Sequence, residues 1–425
     1  MRGDFSRLMF AGSRSGSSRV LMQQGRVLLD SDWNEAEAAG LAQHRELAAD
    51  IIGPHGGPAH DLGFDLVTSA GGLEFGAGCY YVDGIRARVR SGQWSTQPFS
   101  PFLERRQLPD PPYLVYLDVW ERHVTVLQDD TINEAAPGGP DTTSRARVVW
   151  QLRILPIAND VDLAVPSERF PLRAWRARLR GNPPRLRARA GYTGLENHLY
   201  RVEIAAVEEV GATLVWSRDN GSVAVAWSET SPDRTRIRVR GFLETEFTPG
   251  DWVELTWDDL EYAGAAGTRV LVVGVDDGLL TIDSASATGE VHPDPRSLAH
   301  PVVRRWDTAR SPAEHVVRGA MHITEGEEWL PLENGIEVQF APPQAGERPH
   351  GYCVGDYWTI PARAATAEIR WPHRPDGEPK TLTPQGIRHH YAPLAWVGVG
   401  DHVNDLRHQF GCLARPVPSA RLAPS

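Results

Sequence analysis

The chain has 425 residues, with 44 Lys plus Arg against 55 Asp plus Glu and a net charge of -11 at pH 7. That is length enough for about two to four domains with cores of their own. The acidic balance argues against wholesale nucleic-acid binding, and no apolar run approaches the ~18 residues a membrane span needs. The cysteines Cys79, Cys353 and Cys412 lie far apart without CxxC spacing, so neither a disulfide framework nor a zinc site is indicated, and cytoplasmic synthesis under reducing conditions fits best.

The first eighteen residues, MRGDFSRLMFAGSRSGSS, read as a polar arm: Arg and Ser suit a transit peptide, but Asp4 comes early and no apolar signal core follows. Residues 20–29 form a strand candidate interrupted by Gln23-Gln24-Gly25, where glycine permits a bulge or a close backbone approach. Asp32 offers an N-cap oxygen and Glu35 its capping-box partner, so the spacing predicts a helix from Trp33. Gly53-Pro54 should end it. Trp33, Ala36, Gly40, Leu47 and Ile51 recur at helical spacing, Leu41, Ala48 and Ile52 widen the stripe, and one face is therefore expected to be buried. Such a helix either plugs a sheet or serves as a docking or trimerising element. In the second case Gln24, Gly25, Arg26, Asp32, Trp33, Asn34 and Glu35 are the docking candidates.

Beyond the Gly/Pro loop 53–63 the chain reads as strands and turns. Asp83-Gly84, Asn220-Gly221, Asp277-Gly278 and Asn334-Gly335 each supply the two positive-φ positions of a type I′ hairpin turn between strand-like runs. The run YLVYLDVWERHVTVL is the most strand-like, and its alternation puts Trp120 and Arg122 on one face and Glu121 and His123 on the other. ARVVWQLRILP reads as a pairing partner. Residues 159–189 turn rich in Arg and Pro, as an inter-domain connection would. Six short strand segments between 199 and 287 suggest a small barrel or sandwich. Gly250-Asp251-Trp252 and Gly355-Asp356-Tyr357-Trp358 each mark the start of a strand after a turn. The expected fold class is mainly β, a multi-domain set of sandwich or barrel modules with one N-terminal amphipathic helix. Its divisions are 1–62 (arm, strand and helix), 63–158 (β domain), 159–198 (connection), 199–300 (barrel or sandwich) and 301–425 (β module with a Pro-rich tail).

Three constellations could carry chemistry. His55, His60 and Asp61 share a Gly-rich loop and offer ligand types that suit a divalent ion, but their spacing matches no closed site. His389-His390 is a similar pair, pointing to opposite faces if on a strand. No metal and no cofactor is expected. Gly138, Gly139, Pro140, Asp141 and Thr142, near Asp129, Asp130 and Glu134, could bring two carboxylates together as in a glycosidase or order an inter-subunit loop. The Asp-x-Asp-x-Asp-Gly pattern of a calcium loop is missing. Arg173 opens a basic run in which the alternate spacing of Arg176, Arg178 and Arg180, and again of Arg185, Arg187 and Arg189, would put each trio on one side of an extended segment, as a solvated linker or as a subunit interface for an anionic partner. Fourteen tryptophans are many; exposed, they could stack on sugars, although most sit in strand patterns where core packing is the default. A Gly-x-Ser-x-Gly elbow, a P-loop and a dinucleotide Gly motif are all missing.

The blocks LMQQGRVLLDSDWNEAE, ADIIGPHGGP, GCYYVDGI, YLVYLDVWERH, APGGPDTTSRARVVWQ, ENHLYRVEI, WSRDNGS, PGDWVEL, GDYWTIPAR and HHYAPLA, spanning about residues 21–394, resemble those of a bacterial family of unknown function. That family is met beside phage tails, tail-like contractile injection systems and β-helix repeat proteins. The opening block is also similar to virion structural proteins in which a glycine-arginine turn leads into an Asn-Glu helix start. The resemblance implies a non-enzymatic structural component, a baseplate-peripheral or spike/fibre-adaptor subunit, that assembles with other particle subunits as a trimer or hexamer and is released within the finished particle. It implies no catalytic residues. The chain stops soon after HHYAPLA without a fibre repeat, which favours attachment or baseplate assembly over receptor binding. The competing reading is a carbohydrate-binding or glycan-cleaving protein using exposed Trp and the acidic loop near Asp141.

Overall fold

The structure, a computed structural model, describes residues 1–7, 18–69, 72–100, 108–133, 142–157, 165–168, 170–209, 211–241, 246–326, 328–400 and 402–411. It is mainly β, with several sheets, a closed six-stranded barrel and, among the described residues, three α-helices: α1 (Asp30–Ile52), α2 (Leu172–Arg180) and α3 (Asp258–Ala263). Its β modules are nested, each interrupted by the next.

The outer module begins with His55–Pro58 and runs to Arg145–Pro156. It is completed from the far end of the chain: His390–Val397 pairs antiparallel with Tyr113–Val124, and Gln409–Phe410 pairs parallel with His55–Pro58. Tyr113–Val124 and Arg145–Pro156 match along their whole length, from Tyr113↔Pro156 to Val124↔Arg145. Alternation along these strands buries Tyr113, Val115, Leu117 and Val119 with Trp150 and Leu152 in one core. Residues 390–411, expected with the C-terminal module, thus belong to the outer one. Their alternation told that they form strands but could not name a partner some 270 residues upstream.

The middle module sets a six-stranded sheet, with His198–Val207 between Ala212–Ser217 and Tyr357–Arg363, against a three-stranded sheet of Arg185–Ala190, Leu330–Pro331 and Ile336–Ala341. Trp216, Trp358, Tyr200 and Phe340 fill the space between them. Into this module is inserted the barrel of Ala224–Thr230, Arg236–Arg240, Trp252–Thr256, Thr268–Asp276, Leu279–Asp283 and Val302–Trp306. The runs LYRVEIAAV and TLVWSRD, expected in the barrel, lie in the middle sheet instead.

Three of the four expected hairpins form, at Asp83-Gly84, Asp277-Gly278 and Asn334-Gly335, all with positive φ at both residues. Asn220-Gly221 has the same geometry (φ 53 and 67), yet it is the crossing point from the middle sheet into the barrel. The chain returns beside it: Arg305 N donates to Val223 O at 3.0 Å and Asp307 N to Trp216 O at 2.8 Å. Gly250 and Gly355 (φ 100 and 87) open the strands at Trp252 and Tyr357.

Candidate functional site

Two features of this fold offer chemistry to something outside the chain: helix α1 with the segment before it, and a cavity where the three modules meet.

Residues 19–29 make no sheet pairing; a turn with Arg26 N donating to Gln23 O at 3.4 Å and φ 69 at Gly25 replaces the expected strand. Helix α1 starts at Asp30 rather than Trp33, and no side chain caps it. The reason is that the polar arm takes the nearby acids: Ser6 N and Oγ donate to Asp30 at 3.0 and 2.6 Å, and Arg7 pairs with Glu35 at 3.0 Å. The helix ends as expected, with Gly53 at φ 94 donating to Ala49 O. Its orientation reverses the expectation. The side toward the body carries Ser31, Ala38, Ala42, Arg45 and Ala49, and only Ser31 is fully buried. Trp33, Leu41, Leu47 and Ile51 are exposed, Trp33 by 60%, as are Leu21, Met22, Val27, Leu28 and Leu29 before them. Small residues let the helix lie flat on the outer module, where Arg45 pairs with Glu121 at 2.8 Å, and the large apolar stripe is left outward.

The cavity, about 920 Å³, is bordered by residues 1–5, the end of the strand Tyr113–Val124, the outer face of the barrel and the strand His198–Val207. Its walls hold a continuous ionic network. Arg122 reaches Asp258 at 2.5 and 3.0 Å, Glu261 at 2.9 Å and the Tyr262 hydroxyl at 2.8 Å, joining the outer module to α3 of the barrel. Arg2 bridges Glu203 of the middle module, at 3.2 Å from its Nε, and Glu261 of the barrel at 2.9 Å. Arg201 also binds Glu203 and lies 3.6 Å from the Tyr357 ring centroid. Asn220, fully buried, donates to the Gly3 carbonyl at 2.9 Å, so the crossing point also anchors the arm. Burial favours the neutral form of Glu203 and Glu261, but the surrounding arginines outweigh it, and both carboxyls titrate at about 2. Burial, reinforced by Arg201 and Arg2, lowers His123 to about 3 and keeps its ring neutral. Burial, reinforced by the Glu203 charge, raises Asp356 to about 7.

A family of unknown function, DUF6519, matches residues 1–165 and 157–416, and therefore nearly the whole chain. The chain belongs to this family. No curated protein and no solved structure matches it.

In this DUF6519 chain the other residues singled out from the sequence separate into several groups. Arg173, Arg176, Arg178 and Arg180 lie on helix α2, not on an extended segment, because Trp175 is drawn into a small core with Leu114 and Ile157. Arg176 turns inward to Asp83 at 2.6 Å and to the carbonyls of Tyr391 and Pro54, and Arg180 reaches the His389 carbonyl at 3.1 Å. Arg176 and Arg180 of the expected partner surface thus bind within the chain, and the side chains of Arg173 and Arg178 are exposed. Arg185, Arg187 and Arg189 do form an alternating trio on a strand, where Arg187 and Arg189 lie over Trp329. Gly138, Gly139, Pro140 and Asp141 fall outside the described residues; Thr142 is exposed at the cavity rim.

His55 is buried against the Tyr80 hydroxyl at 2.8 Å and stacks on His408, while His60 is exposed. His389 and His390 turn to Asp118 and Asp83, both at 2.7 Å. Among the described residues no three His, Cys, Asp or Glu side chains gather as a metal site. Among the described residues no helix is long and apolar enough to cross a membrane. Of the tryptophans, nine are buried and Trp33 is the exposed one. The cavity network escaped sequence reading because its members are single charged residues scattered from Arg2 to Tyr357. The usable signal was narrow: charged residues such as Arg201, Glu203 and Arg304 inside otherwise apolar strand runs.

Proposed function

We propose that this chain is a non-enzymatic structural subunit of a larger particle, of the phage-tail-like kind that the sequence blocks suggest, and that it self-associates through α1 and residues 19–29. The observation that carries the reading is the outward apolar stripe. Among the described residues, nine of the sixteen exposed large apolar side chains fall between Leu21 and Ile51, a concentration that marks an interaction surface rather than scatter. A helix of 23 residues is about 35 Å long and ~10 Å wide. With the adjoining extended segment it offers an area of the order of the roughly 800 Å² per partner that a stable interface needs. Trp33, Gly40 and Leu47 recur every seven residues, as do Glu37, His44 and Ile51, so the seam is apolar at its ends and polar in its middle. That pattern suits a short symmetric contact better than a long coiled coil. The glycan reading draws less support, since nine of the fourteen tryptophans are buried and Trp33 alone is exposed, where a sugar-stacking platform would need several.

The test leaves residues 1–7 in place, because Arg2 and the Gly3 carbonyl are built into the body. The full chain and the Trp33→Gln/Leu47→Gln/Ile51→Gln variant are produced with the other particle components, and incorporation into sedimenting particles is compared. The proposal expects the variant to stay free while keeping the wild-type thermal midpoint. Equal incorporation of both chains would overturn it.

A further inference from the structure

The barrel turns one polar row toward the cavity. Ala224 pairs with Arg304, Arg304 with Glu254, and Glu254 with Arg269, so the row crosses four neighbouring strands in register. All four residues border the cavity, and the positions beside them, Val225, Val303, Val253 and Val270, point the other way into the barrel core. Valine on one face and charge on the other is the period-2 pattern of a strand whose outer face has a use.

Within this row two guanidiniums flank one carboxylate, and that carboxylate is already engaged. Glu254 accepts from Trp306 Nε1 at 3.0 Å and from Gly267 N at 3.3 Å. Arg304 gives its Nε to the Gly221 carbonyl at 3.3 Å, but its Nη1 is buried without a hydrogen-bond partner among the described residues, 3.8 Å from Glu254 and 4.0 Å from Glu261. Arg269 Nε is likewise buried and unpartnered. Each side chain has only 7% of its surface exposed (Arg269 counted as the whole residue). A buried charged donor left without an acceptor costs more than the ~1–3 kcal/mol of a neutral one, and here two such donors belong to residues that line the same space. The surrounding groups do not supply the missing acceptor: Glu203 and Glu261 are already held by Arg2, Arg201 and Arg122, and Asp258 by Arg122. Guanidiniums meeting an anion across a water-poor wall is the arrangement that favours carboxylate and phosphate groups.

We propose that the cavity binds a small organic anion, through a carboxylate or phosphate group set between Arg269 and Arg304 on the outer face of the barrel. At about 920 Å³ the space exceeds a bare ion and matches the roughly 300–1,000 Å³ of small-molecule sites. The half-buried Tyr262 ring, also on the lining, gives the ligand's body an apolar surface.

The experiment titrates the full chain with inorganic phosphate in one arm and citrate in another, against sodium chloride of equal ionic strength, following thermal midpoint and tryptophan fluorescence. A saturable rise in one arm or both, beyond chloride, is expected, and the arm that responds at lower concentration identifies the group. Arg269→Gln removes no ion pair or side-chain hydrogen bond among the described residues, so it should fold and weaken the response roughly tenfold or more. Arg304→Gln should do the same if it folds. No saturable response to either anion, or a response that Arg269→Gln leaves unchanged, would overturn the proposal.

Discussion

At the residue scale the molecule depends on charges taken out of water and matched there. Arg122 and Asp258 have side chains 7% and 8% exposed, and Arg122 binds Asp258 and Glu261 together. Removing one partner of such a pair leaves the others buried and uncompensated, which costs about 3–5 kcal/mol. Arg122→Met should therefore lower unfolding free energy by about that amount in urea titrations, well beyond the effect of a surface arginine such as Arg296→Met. Glu203 and Glu261 are depressed from 4.5 to about 2. Their contribution is present above about 4.5 and is lost as pH falls through about 2, since the unfolded chain takes up protons first. Wild-type stability should fall across that window, and Glu261→Gln, weaker at neutral pH, should fall less steeply. Asp356 has the opposite sign. Raised from 3.8 to about 7, it carries a penalty that appears as pH rises above 3.8 and is complete above about 7. Asp356→Asn should be the more stable protein at pH values above 7 and indistinguishable below 3.8.

At the element scale, α1 is held by close approach rather than by deep burial. Gly84, at φ 75, turns toward the helix so that a Cβ there would lie 2.2 Å from the Arg45 carbonyl oxygen. Gly84→Ala should lift the helix from the hairpin and cost at least ~1 kcal/mol, read as faster amide exchange along α1 than in the barrel strands. The bounds of such elements were legible where local chemistry sets them: Gly53-Pro54 ends α1, and the turn at Asp83-Gly84 forms its hairpin. Asn220-Gly221 was misread because the turn geometry is local while the choice of partner strand is not. The same limit applies to α1's orientation. Its apolar spacing was readable, but whether that stripe faces the body or the solvent depends on the outer module, against which alanines fit and tryptophan does not. Helix α2 was missed because its arginines alternate as they would on a strand, although Leu172, Trp175 and Leu179, three and four residues apart, mark its packed side. The cavity network, built from single charges far apart in sequence, left almost no local pattern to read.

At the scale of the whole molecule, the chain passes inward through three β modules and back out, so its first and last described strands, His55–Pro58 and Gln409–Phe410, pair with each other on the outer one. Residues 1–5 border the cavity, and Gln409–Phe410 extends the sheet of His55–Pro58. Among the described residues, exposed large apolar side chains concentrate on the stripe of α1 and the segment before it. Burying a large apolar side chain contributes about 1.5–3 kcal/mol, so the nine between Leu21 and Ile51 together offer about the sum needed to offset the ~4–15 kcal/mol cost of association and leave the ~8 kcal/mol of micromolar binding. The direct measurement is native mass by light scattering after gel filtration, comparing wild type with Trp33→Gln/Leu47→Gln/Ile51→Gln. The account predicts a trimer or hexamer for the wild type and a folded monomer for the variant. A monomer in both, or the same oligomer in both, would contradict it.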